Sequence, residues 1–370
     1  MTGMESNAQQ LASNIKMGIN IGNTMEAYGC TTPAETCWGN PSISAAYIKL
    51  IKDSGFDAVR LPVSWNQYAD QTTAKIDPTW LARVKQVVQY AVDNDLYIIV
   101  NIHWDGGWLD QHINVADQAS TKAKQKALWE QIATEFRDFD EHVIFASANE
   151  PPAKTAEEMT ILLSYHQAFV DAVRSTGGKN AYRVLVVQGP STNLETTRDL
   201  WQGMPSDTAT GRQMAEIHFY GPYNFGLMDQ DASWGKMSYY WGKGFHSTTD
   251  TDRNATWGEE DWVDQEFDIV KTQFISKGIP VVMGEYGAIY RDKLTGDALT
   301  LHTNSHAYFY QYVTQRALAS GLIPFMWEQG YSPFQLFDRS TPKLARPQLL
   351  DAILIGAGKK NNSSNSSSQP

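Results

Sequence analysis

The sequence has few cysteines and no long apolar run. Two cysteines, Cys30 and Cys37, occur in 370 residues, too few for a structural zinc site of their own. They lie in a polar stretch, where a disulfide and two free thiols are both compatible with the sequence. No run of about 18 apolar residues occurs, so the sequence predicts no membrane span.

The sequence also lacks a basic surplus and a recognisable leader. Its formal net charge is -11, which argues against a nucleic-acid partner because phosphates attract basic surfaces. Residues 1–14 lack the basic and then apolar pattern of a signal peptide. That pattern is missing both from cytoplasmic proteins and from secreted chains whose leader has been removed, so these residues leave the compartment open.

Aromatic residues, by contrast, are abundant. The chain contains 12 Trp and 17 Tyr, more than a core of this size requires. Flat rings at a surface are suited to stacking on sugar rings, although an aromatic-rich core is the alternative explanation. Six of these rings fall in an insertion of roughly forty residues between the sixth predicted strand and the next helix, beyond the usual loop length of about 2 to 6 residues.

Predicted strands and helices alternate along the chain. The strands are apolar on both faces, which is typical of a parallel sheet covered by helices on each side. Eight such units predict an α/β fold, a (β/α)8 TIM barrel over residues 1–356, with a doubly wound sheet as the second choice. Residues 357–370 are polar and rich in Ser and Asn, and predict a flexible tail or linker. The predicted strands are 17–21, 58–61, 97–102, 143–148, 183–187, 214–219, 281–285 and 325–328.

Polar residues recur at the carboxyl ends of these strands, where a TIM barrel carries its active site. Two of them, Glu150 and Glu285, are glutamates that follow apolar strands, although such a residue also caps helices. A carboxylate pair at one rim fits a retaining glycosidase. The others are Arg60, His103, Asn149, His218, Tyr220 and Trp327.

The two glutamates need different protonation states, because close carboxylates do not both ionise easily. Whichever glutamate Arg60 and Tyr220 contact is expected to stay ionised and act as the nucleophile, while the other acts as acid and then base. Asn149 is suited to binding a sugar 2-hydroxyl, and Trp327 to forming the floor beneath that sugar. The residues alone leave open which glutamate has which role.

In these residues the chain resembles glycoside hydrolase family 5, a large cellulase family with a (β/α)8 fold. The resemblance spans nearly the whole chain and rests on several short motifs in order. It implies Glu150 as acid/base, Glu285 as nucleophile, and a retaining mechanism without metal or organic cofactor. The motifs are Asn20-Ile-Gly-Asn23-Thr24, Val59-Arg60-Leu-Pro62, His103, Asn149-Glu150-Pro151, His218-Phe-Tyr220, Gly284-Glu285-Tyr286 and Trp327.

The stretch Glu35-Thr-Cys-Trp38-Gly-Asn40-Pro41, following Asn23, is similar to the family branch that contains endoglucanases acting on cellulose, mixed-linkage glucan and sometimes xyloglucan. We therefore expect Asn23, Trp38 and Trp104 to contact substrate. Many relatives have a second His after the strand-three His, where this chain has Trp104, and that ring either reshapes a subsite or packs at the rim. Xyloglucanase and mannanase activity remain alternatives.

Two other classes compete with this reading. A metal-dependent hydrolase would need ligand clusters, and His302 and His306 have the i, i+4 spacing of a ligand pair, but we expect them to be a solvated or capping pair on an outer helix. The acidic pairs in the insertion lack the glycine and distal glutamate of a calcium loop. A carbohydrate-binding barrel without catalysis would ordinarily lack one glutamate, whereas Glu150 and Glu285 are both present.

A barrel rim of this kind forms an open cleft, so we expect a β-glucan polysaccharide as partner, cut within the chain by a monomeric enzyme. Hydrolysis of a polymer implies a secreted, extracellular protein whose signal peptide has been removed. From that function we infer an oxidised Cys30 to Cys37 bridge.

Overall fold

The computed structural model describes residues 1–362, which form a closed barrel of eight parallel strands in the order β1 to β8. The predicted (β/α)8 fold is therefore confirmed. Each strand pairs in parallel with the next, and β1 pairs with β8 to close the barrel. The strands are β1 Gly18–Asn20, β2 Ala58–Leu61, β3 Tyr97–Asn101, β4 Val143–Ala146, β5 Leu185–Gln188, β6 Gln213–Phe219, β7 Val281–Tyr286 and β8 Leu322–Met326.

Helices connect the strands and surround the barrel. Asp77 caps the helix Pro78–Asp93, and Pro78 occupies its first turn. The helix Ala45–Asp53 is capped by Ser44, whose hydroxyl accepts the Tyr47 N–H. The helices are α1 Ala8–Ser13, α2 Ala45–Asp53, α3 Pro78–Asp93, α4 Gln118–Glu135, α5 Ala156–Ser175, α6 Leu194–Leu200, α7 Tyr223–Gly226, α8 Glu260–Gln273, α9 Gly296–Ser320 and α10 Pro347–Gly356.

The last strand differs from its prediction by three residues. We expected 325–328, with Pro324 before the strand, but β8 begins at Leu322 and contains Pro324, whose Cα pairs with that of Met283. A register shift between β7 and β8 begins just after this pair, at a point where a residue without an N–H is tolerated. Trp327 and Glu328 therefore lie in the loop after β8, on the rim.

The core has two apolar layers. The larger lies between the barrel and its helices. The smaller fills the barrel interior, where Ile99, Val186 and Phe325 pack together, and it extends to Leu11 of α1. Helix α1 thus covers the end of the barrel opposite the strand carboxyl ends, leaving only the other end open for a site.

The insertion at 220–259 folds onto helix α9. The Trp241 N–H donates to Ser305 Oγ, and His302 Nδ1 lies 2.7 Å from the Tyr239 carbonyl. His302 and His306 are both buried. Our expectation of a solvated or capping pair is therefore wrong, because the insertion covers His302 and the segment after β7 covers His306, whose Nε2 lies 2.9 Å from the Ala288 carbonyl.

Cys30 and Cys37 form a disulfide in the loop after β1. Among residues 1–362, no helix combines the length and apolar character needed to cross a membrane. Of the predicted tail, residues 363–370 lie outside the described part of the chain. Before them, Lys359 donates to the Gly55 carbonyl and pairs with Asp57.

Candidate active site

Arg60 is the centre of the polar cluster at the strand carboxyl ends. It lies on β2, is fully buried, makes hydrogen bonds to three groups and forms a salt bridge with a fourth, Glu216, at 3.2 Å. Its Nη1 lies 2.8 Å from Glu285 Oε2 and 2.9 Å from Asn20 Oδ1, and its Nη2 lies 2.9 Å from Asn149 Oδ1. A buried guanidinium needs such partners, because an unpaired buried charge is very unfavourable. Arg60 thereby fixes Glu285 and Asn149 relative to each other.

Glu285 reaches the site through an irregularity in the barrel. The register between β6 and β7 shifts after Ile217, so that His218 pairs with Glu285 and Gly284 is the extra residue. Such bulges re-aim a side chain towards a site. The Tyr220 hydroxyl donates to Glu285 Oε1 at 2.7 Å. Both oxygens of Glu285 therefore accept a hydrogen bond, and the two donors are the pair named from the sequence.

Glu150 lies across the cluster, just after β4. Its Oε2 lies 2.8 Å from His218 Nδ1 and accepts from the Thr192 hydroxyl at 3.2 Å. The side chain is 43% exposed, in contrast to 8% for Glu285. Glu150 is therefore the carboxyl group that faces the open cleft, and its Oε1 has no protein donor among the described contacts.

Trp327 and His103 form one wall of the cleft. Their rings are nearly parallel, with centroids 6.3 Å apart. A side chain at position 22 would collide with the indole, because a Cβ there would lie 2.5 Å from it, so Gly22 lets the indole lie against the loop after β1. Burial, together with the positive charge of Arg60, lowers the pKa of His103 well below its usual value. His103 is therefore neutral at ordinary pH.

A buried ion pair that was not predicted from the sequence supports this wall. Glu328 is fully buried and accepts the N–H groups of Gly330, Leu336 and Phe337. Arg339 pairs with Glu328 at 2.8 Å and donates to the carbonyl of Gly22 and to the hydroxyl of Thr24. The pair thus ties the loop after β8, which carries Trp327, to the loop after β1.

The three further residues expected to contact substrate lie on the same side as Trp327. Asn23 donates to the Tyr331 hydroxyl, which donates to the Trp38 carbonyl. Trp38 and Trp104 are 40% and 43% exposed. Trp104 packs edge-on against Tyr28 with centroids 5.6 Å apart. The ring is thus anchored at one edge and open to solvent elsewhere, so it is available for stacking.

A second depression, of about 440 Å³, lies on the other side of Glu150. Its lining includes Thr192 and, from the insertion, Tyr223 and Trp257. Trp257 is 46% exposed and donates its indole N–H to Asn224. The sequence showed these rings but did not place them at the site. The cleft therefore runs past Glu150 in both directions, with aromatic rings at each end.

Three site residues were not singled out from the sequence. Asn20 donates to the Gly284 carbonyl and accepts from Arg60. Glu216 and Gln188 lie below His218 and bond to each other at 2.9 Å. A glutamate inside the apolar β6 is the same kind of signal as Arg60 inside β2, since either requires a buried partner. A charged residue within an apolar strand is therefore the sequence signal that marks Glu216.

Glu150, His218 and Glu285 bring three potential metal-ligating atoms within 4.8 Å of one another. Each group already has a close protein partner: His218 binds Glu150, while Arg60 and Tyr220 donate to Glu285. A cation would have to displace the Arg60 charge from Glu285. We therefore interpret the cluster as a network of hydrogen-bonded charges.

Known proteins resemble this chain over almost its full length. The xyloglucan-specific endo-β-1,4-glucanase of Bacteroides ovatus is 36% identical over 96% of this chain and 71% of its own. Endoglucanase A of Paenibacillus barcinonensis is 33% identical over 94% and 90%.

Solved structures also match this chain over almost its full length. The Bacteroides ovatus xyloglucanase in complex with a heptasaccharide superposes with a TM-score of 0.90 at 35% identity, over 96% of this chain and 78% of that one. A broad-specificity endoglucanase from Ruminococcus champanellensis with bound cellotriose gives 0.81 at 30% identity, over 95% and 99%. Cellulase, glycosyl hydrolase family 5, matches residues 22–329. The chain therefore belongs to glycosyl hydrolase family 5 and is a glycoside hydrolase.

Proposed function

We propose that the protein is a retaining endo-β-1,4-glucanase that cuts β-glucan by double displacement, with Glu285 as nucleophile and Glu150 as acid/base. The observation that carries the mechanism is the spacing of the two carboxyl groups, which have oxygens within 4.8 Å of each other. Retaining enzymes hold the groups roughly 5 to 5.5 Å apart, whereas inverting enzymes need about 6.5 to 9.5 Å to admit a water molecule.

The donors around each carboxyl group support the two roles. Glu285 accepts from Arg60 on one oxygen and from Tyr220 on the other, which favours a carboxylate ready to attack. Glu150 uses one oxygen for His218 and Thr192. Its other oxygen is free to carry a proton towards a leaving group.

The pKa shifts of the free site run against this assignment. Burial raises the pKa of Glu285, and the charges of His218 and Arg60 only partly offset it. Burial also acts upward on Glu150, but the hydrogen bonds from His218 and Thr192 and the charges of His218 and Arg60 together outweigh it and lower the pKa. A bound sugar changes the relative pKa values of the two groups. It excludes water from the exposed Glu150, while Arg60 and Tyr220 continue to donate to Glu285. We therefore assign the roles on donor geometry.

The direction in which the glucan lies in the cleft follows from the position of Glu150, the proposed acid. The leaving oxygen must face Glu150, so the leaving part of the glucan extends into the depression at Trp257. The attacked sugar then lies between Asn149 and Trp327, and the rest of the chain continues towards Trp104. Aromatic rings on both sides of the bond suit binding in the middle of a polymer, which supports endo action.

A second candidate substrate is xyloglucan. The three solved relatives with TM-scores of 0.86 to 0.90 are xyloglucanases, whereas the broad-specificity endoglucanases score 0.79 to 0.82. Both substrates share the β-1,4-glucan backbone and the same chemistry. The proposal for unbranched and mixed-linkage glucan therefore differs from this candidate only in the tolerance of the cleft for side branches.

We also propose that the protein acts outside the cell. A polysaccharide cannot enter a cell intact, so the enzyme has to meet it outside. The Cys30 to Cys37 disulfide is of a kind that persists in oxidising compartments.

Initial rates of reducing-end release test the proposal, measured on barley β-glucan, carboxymethylcellulose, xyloglucan and mannan. We expect cleavage of the glucans, and a fall of more than about a thousandfold for Glu150→Gln and Glu285→Gln on the polymers. A 2-deoxy-2-fluoro cellobioside should label Glu285, as shown by mass spectrometry of the peptide. Rates in either variant equal to the parent would refute the two-carboxylate mechanism, and no cleavage at all would favour a carbohydrate-binding barrel.

A further inference from the structure

A third carboxylate, Glu216, lies beneath the two proposed catalytic glutamates. It is on β6, two residues before His218, so both side chains point into the barrel. Its Oε2 lies 2.7 Å from His218 Nε2 and 3.2 Å from Arg60 Nη2, and its Oε1 accepts from Gln188 Nε2 at 2.9 Å. The side chain is fully buried. Glu216 therefore has three donors and is shielded from bulk solvent.

The donors require Glu216 to be ionised. Gln188 cannot reverse its amide, because its Oε1 accepts the Ala148 N–H. An amide or a protonated carboxyl at position 216 would direct a donor at Gln188, His218 or Arg60, each of which is itself a donor. Burial acts to raise the pKa of Glu216, but the Arg60 charge and the hydrogen bonds from His218 and Gln188 outweigh it and lower the pKa.

The backbone is shaped around this carboxylate. Gly284, the bulge residue of β7, faces Glu216, and a Cβ there would lie 2.0 Å from Glu216 Oε2 and 3.0 Å from His218 Nε2. Any larger residue would push the two groups apart. The irregularity that aims Glu285 into the site therefore also makes room for the contact between Glu216 and His218.

His218 is thus held from both ring nitrogens, by Glu216 at Nε2 and by Glu150 at Nδ1. Glu285 lies 3.7 Å from Nδ1, and the other charged or titratable groups that face the ring are Arg60 and the neutral His103. Burial alone would lower the pKa of His218, but the three carboxylates outweigh it and raise the pKa to about 9. Both ring nitrogens therefore carry protons at neutral pH.

We propose that Glu216 is a positioning residue for the acid/base group: its carboxylate holds the Nε2 proton of His218, so that the doubly protonated ring keeps its Nδ1–H on Glu150 in both steps. This inference rests on the function proposed above, because it takes Glu150 as the acid/base residue.

The charge movement in the reaction explains why a fixed cation is needed here. In the first step Glu285 attacks the anomeric carbon, the bond to the leaving oxygen breaks, and that oxygen takes the proton from Glu150. Glu285 becomes a neutral ester and Glu150 becomes a carboxylate. In the second step Glu150 takes a proton from the attacking water, the ester bond breaks, and the charge returns to Glu285. His218 contacts both positions of the negative charge and stabilises each in turn.

Nitrogen-15 NMR of the histidine rings tests the protonation state directly, with the signal assigned by its loss in His218→Gln. In the parent we expect both ring nitrogens of His218 to stay protonated up to about pH 8, and in Glu216→Gln we expect one proton to be lost at least about one pH unit lower. Asp207→Asn is the matched control, because Asp207 is a buried carboxylate paired with Arg174 and does not contact the site. This variant should leave the His218 titration unchanged.

A pH profile on barley glucan supplies the functional readout. The ratio of parent to Glu216→Gln kcat/KM should be at least about tenfold larger at about pH 8 than at about pH 5, and the ratio for Asp207→Asn should be flat. Glu216→Asp, which keeps the charge, should recover part of the alkaline activity.

A neutral His218 in the parent at about pH 6 would overturn the proposal, and that measurement needs no variant to fold. An unchanged pH profile in Glu216→Gln would also overturn it. A parent that titrates as expected but cuts no glucan would instead refute the proposed function.

Discussion

The two exposed tryptophans on either side of Glu150 give a test of the direction in which the glucan lies. Trp257 and Trp104 are matched, with exposures of 46% and 43%. In the proposed orientation Trp257 contacts the leaving part of the chain, and Trp104 contacts the part retained on Glu285. Replacing each with alanine therefore removes one ring of nearly equal open area from opposite sides of the scissile bond.

The exposed area of each tryptophan ring sets the expected loss in kcat/KM. A tryptophan side chain presents roughly 250 Å² when free, so an exposure of 46% leaves about 110 Å² open. A sugar that covers one face of the ring removes about half of this, about 55 Å², from water. At about 25 cal/mol per Å² this burial contributes about 1.4 kcal/mol, which corresponds to about tenfold in kcat/KM.

The assay compares two substrates. Barley β-glucan occupies both sides of the cleft, whereas β-cellotriosyl fluoride has a single atom as leaving group and occupies only the retained side. For Trp257→Ala we expect a loss of about tenfold on the polymer and less than about twofold on the fluoride. For Trp104→Ala we expect a similar loss on both substrates.

Tyr182→Ala provides the control. Tyr182 is 41% exposed but precedes β5, at the end of the barrel away from the site, so both rates should be unchanged. Equal losses on the two substrates for Trp257→Ala would refute the assignment of its ring to the leaving side. A loss confined to the polymer in Trp104→Ala would show that the glucan lies in the opposite direction.

Three further predictions concern the nucleophile, the disulfide and stability. Tyr220→Phe removes a charge-assisted hydrogen bond of about 1.5 to 3 kcal/mol, so kcat/KM should fall about 10- to 100-fold. The acid limb of the pH profile should move up, because Glu285, the proposed nucleophile, loses a donor that lowers its pKa. Replacing Cys30 and Cys37 with serine opens a short loop and should lower the free energy of unfolding by about 2.5 kcal/mol in urea titrations. Burial lowers the pKa of His166 to about 4 and of His306 to about 3. At these two sites the unfolded chain, with histidine pKa values near 6.5, therefore binds more protons below about pH 6.5, which lowers stability on acidification. The Tm of the parent relative to that of His306→Gln should therefore fall between pH 7 and about pH 5, and a relative Tm that rises on acidification would contradict this.

Alternation of apolar strands and helices was enough to predict the barrel, because both signals are local. The errors arose where distant segments decide the outcome. The position of β8 depends on the irregular register with β7, which allows Pro324 inside a strand. The burial of His302 depends on an insertion that lies about sixty residues earlier in the chain and folds back over α9, and that of His306 depends on the segment after β7, where it contacts the Ala288 carbonyl. Neither contact has a local signature.

The rim of the site was predictable for a related reason. Each of Arg60, Glu150 and Glu285 interrupts or ends an apolar run, and the barrel topology brings strand ends together whatever the loops do. The residues of the site that lie below the rim were not predicted. Glu216 lies inside a strand and below the rim, where only its charge within an apolar run marks it, as the charge of Arg60 does in β2.

The charges in the site account for how five ionisable groups can share one buried cluster. Arg60 and the protonated His218 supply two positive charges, and Glu150, Glu216 and Glu285 supply three negative charges when all are ionised. One more proton makes the cluster neutral, and a desolvated cluster favours neutrality. Glu216 is committed to three donors and Glu285 to two, so in the proposed mechanism a bound sugar, which excludes water from Glu150, directs that proton to the free oxygen of Glu150. The arrangement that makes the buried charges tolerable would then supply the proton that the proposed first step requires.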